Sequence, residues 1–481
     1  MPARPDRAIW VGLAVVTVVG TVLRLYGLDH QSLWNDELST WQQLRFDSWR
    51  EMLIKGVPVY HLPAFWSLLY FWIHYAGDSE TSLRLPSALL GIAAIPAMFA
   101  LGRRLYGQRE GLIAAALTAT AWMPIFYSQE ARPYMLLFLL VALSSAWLID
   151  VVHGLRRLAT PPRGAAVAYV ITASLTCYTH YFGLLFVCLQ AALVGLLFLR
   201  QPRALGWVAT LYAVVLLSCV PWLRRASVAV ADAPAWIEAP DASAPWQLLR
   251  FLFNESSLLA VLALVLWATL LAREYWTRRQ PGGARFAPAT LLLLAWLIVP
   301  VVIVYVRSVL AAPAFLNRTL IIVAPAAYLL LARAVAQLSE RRWAAPLAAG
   351  ALCGGLLVQL IVVQRYYTRP TKGQFREAAA YLIAHDQPDV PTLILACAHN
   401  RNYFNYYLER LGSPRRVDGV VVTAPDGAVA QQLIAERAPA HVWLLAGHLD
   451  PDPALLAALS SQLRLVDESH FLKAGVWHFS R

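Results

Sequence analysis

The chain has 481 residues, 59% of them hydrophobic and only 14% charged, with a mean hydropathy of +0.53. That composition excludes a string of soluble domains. The many separate apolar blocks, each close to the roughly 20 residues that cross about 30 Å of hydrocarbon, also exclude a soluble body on a single anchor. The 40 Lys+Arg against 28 Asp+Glu give a net charge of +12. In a soluble chain this would point to nucleic acid; here membrane topology accounts for it, and no nucleic-acid partner is expected. Of the five cysteines, Cys177, Cys188, Cys219 and Cys353 lie in apolar blocks and only Cys397 lies in the polar tail, so neither a disulfide framework nor a Cys-rich metal site is available.

In chain order, the apolar block Ile9–Leu25 follows Arg4 and Arg7. No small-residue cleavage site precedes Arg24, so the block reads as an uncleaved first span. Later candidates run near 83–105, 109–127, 131–153, 164–182, 183–200, 204–223, 257–273, 287–307, 318–335 and 343–363, predicting about eleven transmembrane helices. Lys and Arg are retained on the cytoplasmic side, and with the N-terminus inside the loops sort by that rule. The inner loops hold Arg103, Arg104 and Arg109; Arg156, Arg157 and Arg163; Arg200 and Arg203; Arg273, Arg278, Arg279 and Arg285; and Arg333, Arg341 and Arg342. The outer segments are 26–82, the turns Ser128–Arg132 and Thr179–Gly183, 224–256, 307–317, and everything after Arg365. The stretch Leu62–Ala76 is short, carries His74 and several Trp and Tyr residues, and would reverse every later loop if it crossed. It predicts a helix lying along the outer surface.

From about Lys372 the composition changes. Short β-rich runs (Thr392–Ala396, Val417–Val422, His441–Leu445, Gly475–Phe479) alternate with helical patterns at Gly373–Ala384, Arg401–Leu411, Gly427–Glu436 and Pro453–Leu463, predicting a small α/β domain. No Gly-rich phosphate loop follows these strands, which argues against a nucleotide site. The Pro/Gly/Arg-rich runs at 159–164 and 280–286 read as loops. The expected division is a membrane module over 1–365, its outer loop 26–82 carrying surface helices, and an extracytoplasmic α/β domain over 366–481.

Chemistry-bearing residues cluster in the outer segments. Asp36 and Glu37 follow Trp34 among aromatics near the membrane surface, where adjacent acids are costly unless paired, solvated or used. They suit deprotonation of a hydroxyl or binding of an ammonium or metal ion; equally, Asp36 suits the cap of a surface helix beginning near Glu37. In Tyr127-Ser-Gln-Glu-Ala-Arg-Pro-Tyr134, Glu130 and Arg132 are candidates, with mutual neutralisation at a helix start as the plainer reading. Tyr178-Thr-His-Tyr-Phe182 offers His180 and Tyr181, which also suit an interfacial anchor. Arg307 and Arg318 sit outside, against the charge trend. A guanidinium there can clamp a lipid phosphate bidentately or simply snorkel to headgroups.

These residues resemble the polytopic glycosyltransferases that use polyprenyl-phosphate sugars, the GT-C superfamily, and within it the family-39 (mannosyltransferase-like) and lipid A aminoarabinose transferase branch. The resemblance covers roughly Arg24 to Arg333. It rests on Trp34-Asn-Asp-Glu37, His61-Leu-Pro63, Arg84-Leu-Pro-Ser87, Gly102-Arg-Arg-Leu-Tyr-Gly107, Ser128-Gln-Glu-Ala-Arg-Pro-Tyr134, and Arg318 followed by Pro325. It implies a GT-C fold, Asp36 as base or metal-site ligand with Glu37 beside it, and Glu130 at the acidic position of the second outer loop. It also implies Arg318, with Arg307, as donor-phosphate ligands, and His61, Arg132, Tyr134, His180 and Tyr181 as substrate-binding groups. A divalent cation held by Asp36 and Glu130 is an implied cofactor. Two positions depart from the family pattern: His-Pro-Pro appears as His61-Leu-Pro63, and Thr319 stands where an aromatic is common.

The implied reaction takes a polyprenyl-phosphate sugar from the membrane and transfers it, with inversion, to a hydroxyl of a glycan, lipid A or protein acceptor. The implied location is a bacterial inner membrane with the active face and tail in the periplasm. Asp36 and Arg318 are then expected to converge on one pocket. The rival reading is a transporter or flippase of a lipid-linked sugar, whose expected marks are charged residues at midspan and interrupted helices in two matched halves; neither is evident.

Overall fold

Inside hydrocarbon a backbone must satisfy its own hydrogen bonds, so apolar blocks of this length fold as helices. The computed structural model describes residues 7–58, 60–231, 237–279, 288–338, 341, 343–397, 400–421, 427–448 and 450–481. Arg4, Arg285, Arg342, Val422 and the run 280–286 lie outside the described residues. Two compact units emerge: the first comprises Met1–Tyr26, Asp47–Gly77 and Ser82–Gln364, the second Gly27–Phe46, Asp78–Thr81 and Arg365–Arg481.

In the first unit, nine helices among the described residues are long and apolar enough to cross a membrane, beginning with Arg7–Leu25 and ending with Ala344–Val363. A bent pair, Gln108–Thr120 and Trp122–Ser128, makes a tenth. Arg163–Thr179, at 17 residues, is one residue shorter than the shortest of these and lies at the lower limit of the roughly 17–25 residues that can span; it is the expected span that the ten do not include. The helix that begins at Pro202 extends to Ala231, eight residues past the expected end. The short helix Pro63–Ala76 buries Phe65, Trp66 and Leu69 while exposing Leu68, Phe71 and Tyr75, and at 14 residues it has the length and two-faced character of a surface helix.

The bend has a sequence cause. Pro124 has no amide to give and its ring clashes with the carbonyl four residues back, so the helix stops at Thr120 and Ala121 turns extended, breaking the axis by 58°. The stranded carbonyls of Thr118 and Ala119 accept from the guanidinium of Arg24 at 2.8 and 3.2 Å. In return, Gln129 Nε2, just beyond the second half-helix, donates to the carbonyls of Arg24 and Tyr26 at 3.1 and 2.8 Å. Each break is thus capped by the other segment. Close backbone approach completes the packing: a Cβ on Gly91 would stand 1.9 Å from Ser128 Oγ, and one on Gly102 would stand 2.7 Å from Gly111 Cα.

At the opposite end of these helices, Arg104 pairs with Asp150 at 3.0 Å and Arg333 with Glu110 at 2.7 Å. Both pairs join segments that the charge pattern assigns to one side.

The second unit holds a five-stranded sheet: β1 (Thr392–Cys397), β2 (Gly419–Val421), β3 (His441–Gly447), β4 (Arg464–Phe471) and β5 (Ala474–Ser480), in the order β2-β1-β3-β5-β4. The strands β2, β1 and β3 are mutually parallel, and β5 runs antiparallel to both β3 and β4. The four expected helices are present at Phe375–His385, Arg401–Arg410, Gly427–Arg437 and Pro453–Ser460. Leu393, Leu395, Leu444, Trp477 and Phe479 fill the core. The outer loop is divided between the units rather than belonging wholly to the membrane module. Its helix Asn35–Gln43 docks on Arg401–Arg410, where Trp41 and Tyr406 meet edge to face at 4.8 Å.

Candidate functional site

Four separate loops of the first unit bring cationic or imidazole groups together. His61 precedes the surface helix and stacks on Trp66 at 4.3 Å. Arg132 lies over the same indole at 5.9 Å, with its backbone amide donating to the Glu130 carbonyl at 2.8 Å. His180 sits in extended backbone between two helices, its Nδ1 accepting the Phe182 amide at 3.2 Å. That contact fixes the neutral tautomer with the proton on Nε2, aimed away from the cap. Tyr134 bridges the set, its ring 4.6 Å from Tyr127 and 6.3 Å from His180. Tyr181, in the first turn of the following helix, is half-buried.

Electrostatics tie these groups to Arg318, which ends the loop before the buried one-turn 3₁₀ segment Thr319–Val323. His61 is held well below the usual imidazole range by burial, then by the charges of Arg132, His180 and Arg318. His180 is pulled down to about 4, again by burial first and then by Arg132 and Arg318. Two guanidiniums and two neutral N–H donors therefore share one end of the bundle, an arrangement suited to a multiply charged oxyanion.

Glu130, only 1% exposed, belongs to the same turn as Arg132. Arg307 has a different engagement: its Nη1 donates to the Ala312 carbonyl at 2.7 Å, closing the end of its own helix.

Asp36 and Glu37 lie in the second unit, in the first turn of the helix Asn35–Gln43. Asp36 is half-buried and its side chain does not cap that helix, whose N-cap is Trp34. Glu37 is fully buried and pairs with Lys372 at 3.3 Å, itself 4% exposed. Around it, Arg376 pairs with Glu80 at 2.6 Å, and the Tyr407 hydroxyl donates to Glu80 at 2.7 Å. Ser32 donates to the Gly373 carbonyl at 2.6 Å.

The implied divalent cation does not fit the donors at hand. Among the described residues no three His, Cys, Asp or Glu side chains group as a metal site. Glu130 stands with guanidinium-flanked imidazoles, a set that suits an anion better than a cation.

Sequence reasoning missed Arg24, Gln129, Trp66 and Lys372. An arginine at the end of an apolar span is a signal for Arg24, and Trp66 was visible only as an interfacial aromatic. Gln129 and Lys372 carry no local signal, because their partners lie 105 and 335 residues away.

No family model and no curated protein matches this chain in sequence. Solved structures do match. ArnT from Cupriavidus metallidurans in the apo state superposes with a TM-score of 0.60 at 17% identity, over 98% of this chain and 97% of that one. The same protein bound to undecaprenyl phosphate gives 0.61 at 16%, over 98% of each. An oligosaccharyltransferase from Archaeoglobus fulgidus gives 0.54 at 12%, over 90% of this chain and 67% of that one. All are GT-C superfamily glycosyltransferases, and the fold of this chain is the GT-C fold.

Proposed function

We propose that the chain is an integral membrane glycosyltransferase that moves a sugar from a polyprenyl-phosphate donor to a hydroxyl of an extracytoplasmic acceptor, in a bacterial inner membrane with the N-terminus cytoplasmic. The observation that carries this reading is the convergence of Arg132, Arg318, His61 and His180 from four loops at one end of the spans. The lipid phosphate seen in one fold relative, undecaprenyl phosphate in ArnT, is a ligand of the chemistry those groups suit.

In this reading the donor's phosphate sits between the guanidiniums, with the imidazole N–H groups donating to it. The acceptor oxygen attacks the anomeric carbon and the C–O bond to phosphate breaks, its electron pair passing to the lipid phosphate. The charge that develops there is met by preorganised donors in a site poor in water. Asp36 stands as the base by the resemblance of Trp34-Asn-Asp-Glu37 to the family's first outer loop, and Glu37, paired with Lys372, holds the helix that carries it. Trp66 supports both His61 and Arg132 and serves as a positioning residue.

The test is acceptor-dependent release of polyprenyl phosphate from a polyprenyl-phosphate sugar by the purified protein. Asp36→Asn should stay membrane-inserted, bind polyprenyl phosphate normally and release none from the sugar donor. Full activity in that variant removes the base assignment, and movement of the donor across vesicles without its consumption would replace transfer by transport.

A further inference from the structure

The Arg-rich end of the bundle holds a cavity. Of about 450 Å³, it opens between the helices Glu80–Leu105, Tyr134–Leu158, Tyr181–Phe198 and Pro288–Leu310. Its lining begins at Ser145 and Phe186, eleven residues beyond Tyr134 and six beyond His180, about 17 and 9 Å along those helices at 1.5 Å per residue, and extends to Arg156 and Leu197. The body of the cavity is apolar, formed by Leu101, Leu148, Phe186, Leu193 and Trp296 among others. Its volume corresponds to about fifteen water-sized or methylene-sized groups, the scale of one acyl chain.

The mouth carries basic side chains: Arg104, His153 and Arg156 line it, with no acid in the lining among the described residues. Asp150, outside the lining, receives two bonds from Arg104 Nε at 3.1 and 3.0 Å, and the same guanidinium lies over Trp147 at 5.3 Å. Arg104 is thereby held in one orientation, while Arg156 and His153 are exposed and uncommitted in charge. Deeper in, Gln190 and Ser145 bond to each other at 3.1 Å and Gln190 accepts from Tyr169 at 3.2 Å, so the polar atoms on the wall are already satisfied and the floor favours hydrocarbon.

We propose that this cavity is a specific site for an anionic phospholipid of the leaflet at the Arg-rich end, one acyl chain lying in the cavity and the headgroup phosphate on Arg104 and Arg156. Charge complementarity decides the occupant: with Arg104 paired to Asp150, the exposed Arg156 guanidinium leaves the mouth a net cation, which a zwitterionic lipid meets with a cation of its own and a phosphatidylglycerol-type headgroup meets with the anion alone. The inference is independent of the glycosyl-transfer reading, since it rests on the shape of the cavity and the charge at its mouth and needs no reaction.

The experiment is native mass spectrometry of the delipidated full-length protein titrated with phosphatidylglycerol or phosphatidylcholine of identical chains. Wild type should retain one phosphatidylglycerol with about a tenfold preference. Arg156→Glu should bring the two lipids to parity, Leu193→Trp should lower retention of both, and Arg163→Glu, a charge reversal at the same end but outside the cavity, should change neither. Equal retention in wild type overturns the proposal, as does loss of preference in Arg163→Glu to the same degree. Displacement of the bound lipid by polyprenyl phosphate but not by excess phosphatidylglycerol would assign the cavity to the donor's tail and overturn it too.

Discussion

Arg318→Gln isolates one charge of the oxyanion site without removing a polar side chain. A guanidinium bonded to phosphate contributes about 1.5–3 kcal/mol, and each 1.4 kcal/mol is tenfold in affinity. The dissociation constant for polyprenyl phosphate should therefore rise about 12- to 140-fold, nearer the lower figure because Arg318 is only half-buried. His180→Asn, which keeps an oxygen able to cap the following helix, removes a neutral donor and should cost about 2- to 12-fold. Arg307→Gln is the contrast: its guanidinium is engaged by the Ala312 carbonyl, and binding should change by less than about threefold. The assay is equilibrium binding of labelled polyprenyl phosphate to each purified variant in lipid nanodiscs at fixed salt. Wild-type affinity in Arg318→Gln, or equal losses in Arg307→Gln and Arg318→Gln, would refute the phosphate assignment.

Three further outcomes follow from the geometry. Lys372→Met removes the ammonium paired with the fully buried Glu37 carboxylate and should destabilise the second unit by about 3–5 kcal/mol, whereas Lys372→Met with Glu37→Gln should recover most of it; thermal unfolding read by hydrogen exchange over 375–410 checks this. Gly91→Ala drives a methyl into Ser128 Oγ and should cost about 1–3 kcal/mol while weakening phosphate binding through the turn that carries Arg132. For pH, the imidazole of His180 is neutral in the fold down to about 4 but titrates near 6.5 when unfolded. The unfolded state then binds more protons in that window, so stability falls as pH drops from about 6.5 toward 4, and His180→Asn should flatten that part of the acid-unfolding curve.

Much of the first unit was legible because hydrocarbon imposes its own length rule and because cations sort by side. Arg318 and Arg307 stood out alike as exceptions to that sorting, yet one shapes the electrostatics of two imidazoles and the other closes its own helix, a difference set by backbone geometry that spacing does not encode. Asp36 and Glu37 looked equivalent in sequence. Glu37 is on the face of its helix that meets Lys372, while Asp36, one residue earlier, points elsewhere, as a 3.6-residue period requires. The strand β4 escaped notice because Arg464–Phe471 has no buried face: it is an edge strand, and alternation appears only where one side is covered.

The exchange of caps between the first helix and the bent pair bears on biogenesis. Arg24 enters the bilayer boundary with a charge that costs about 2.5–3.5 kcal/mol at a helix centre and less near its end, and the carbonyls that receive it belong to Thr118 and Ala119, 94 and 95 residues downstream. During synthesis the guanidinium can turn to the Gly20 carbonyl of its own helix, which it meets at 3.0 Å, but the two downstream carbonyls reach it only with the third membrane-crossing stretch. Its resting place is set by a later arrival, and the two lock as a pair.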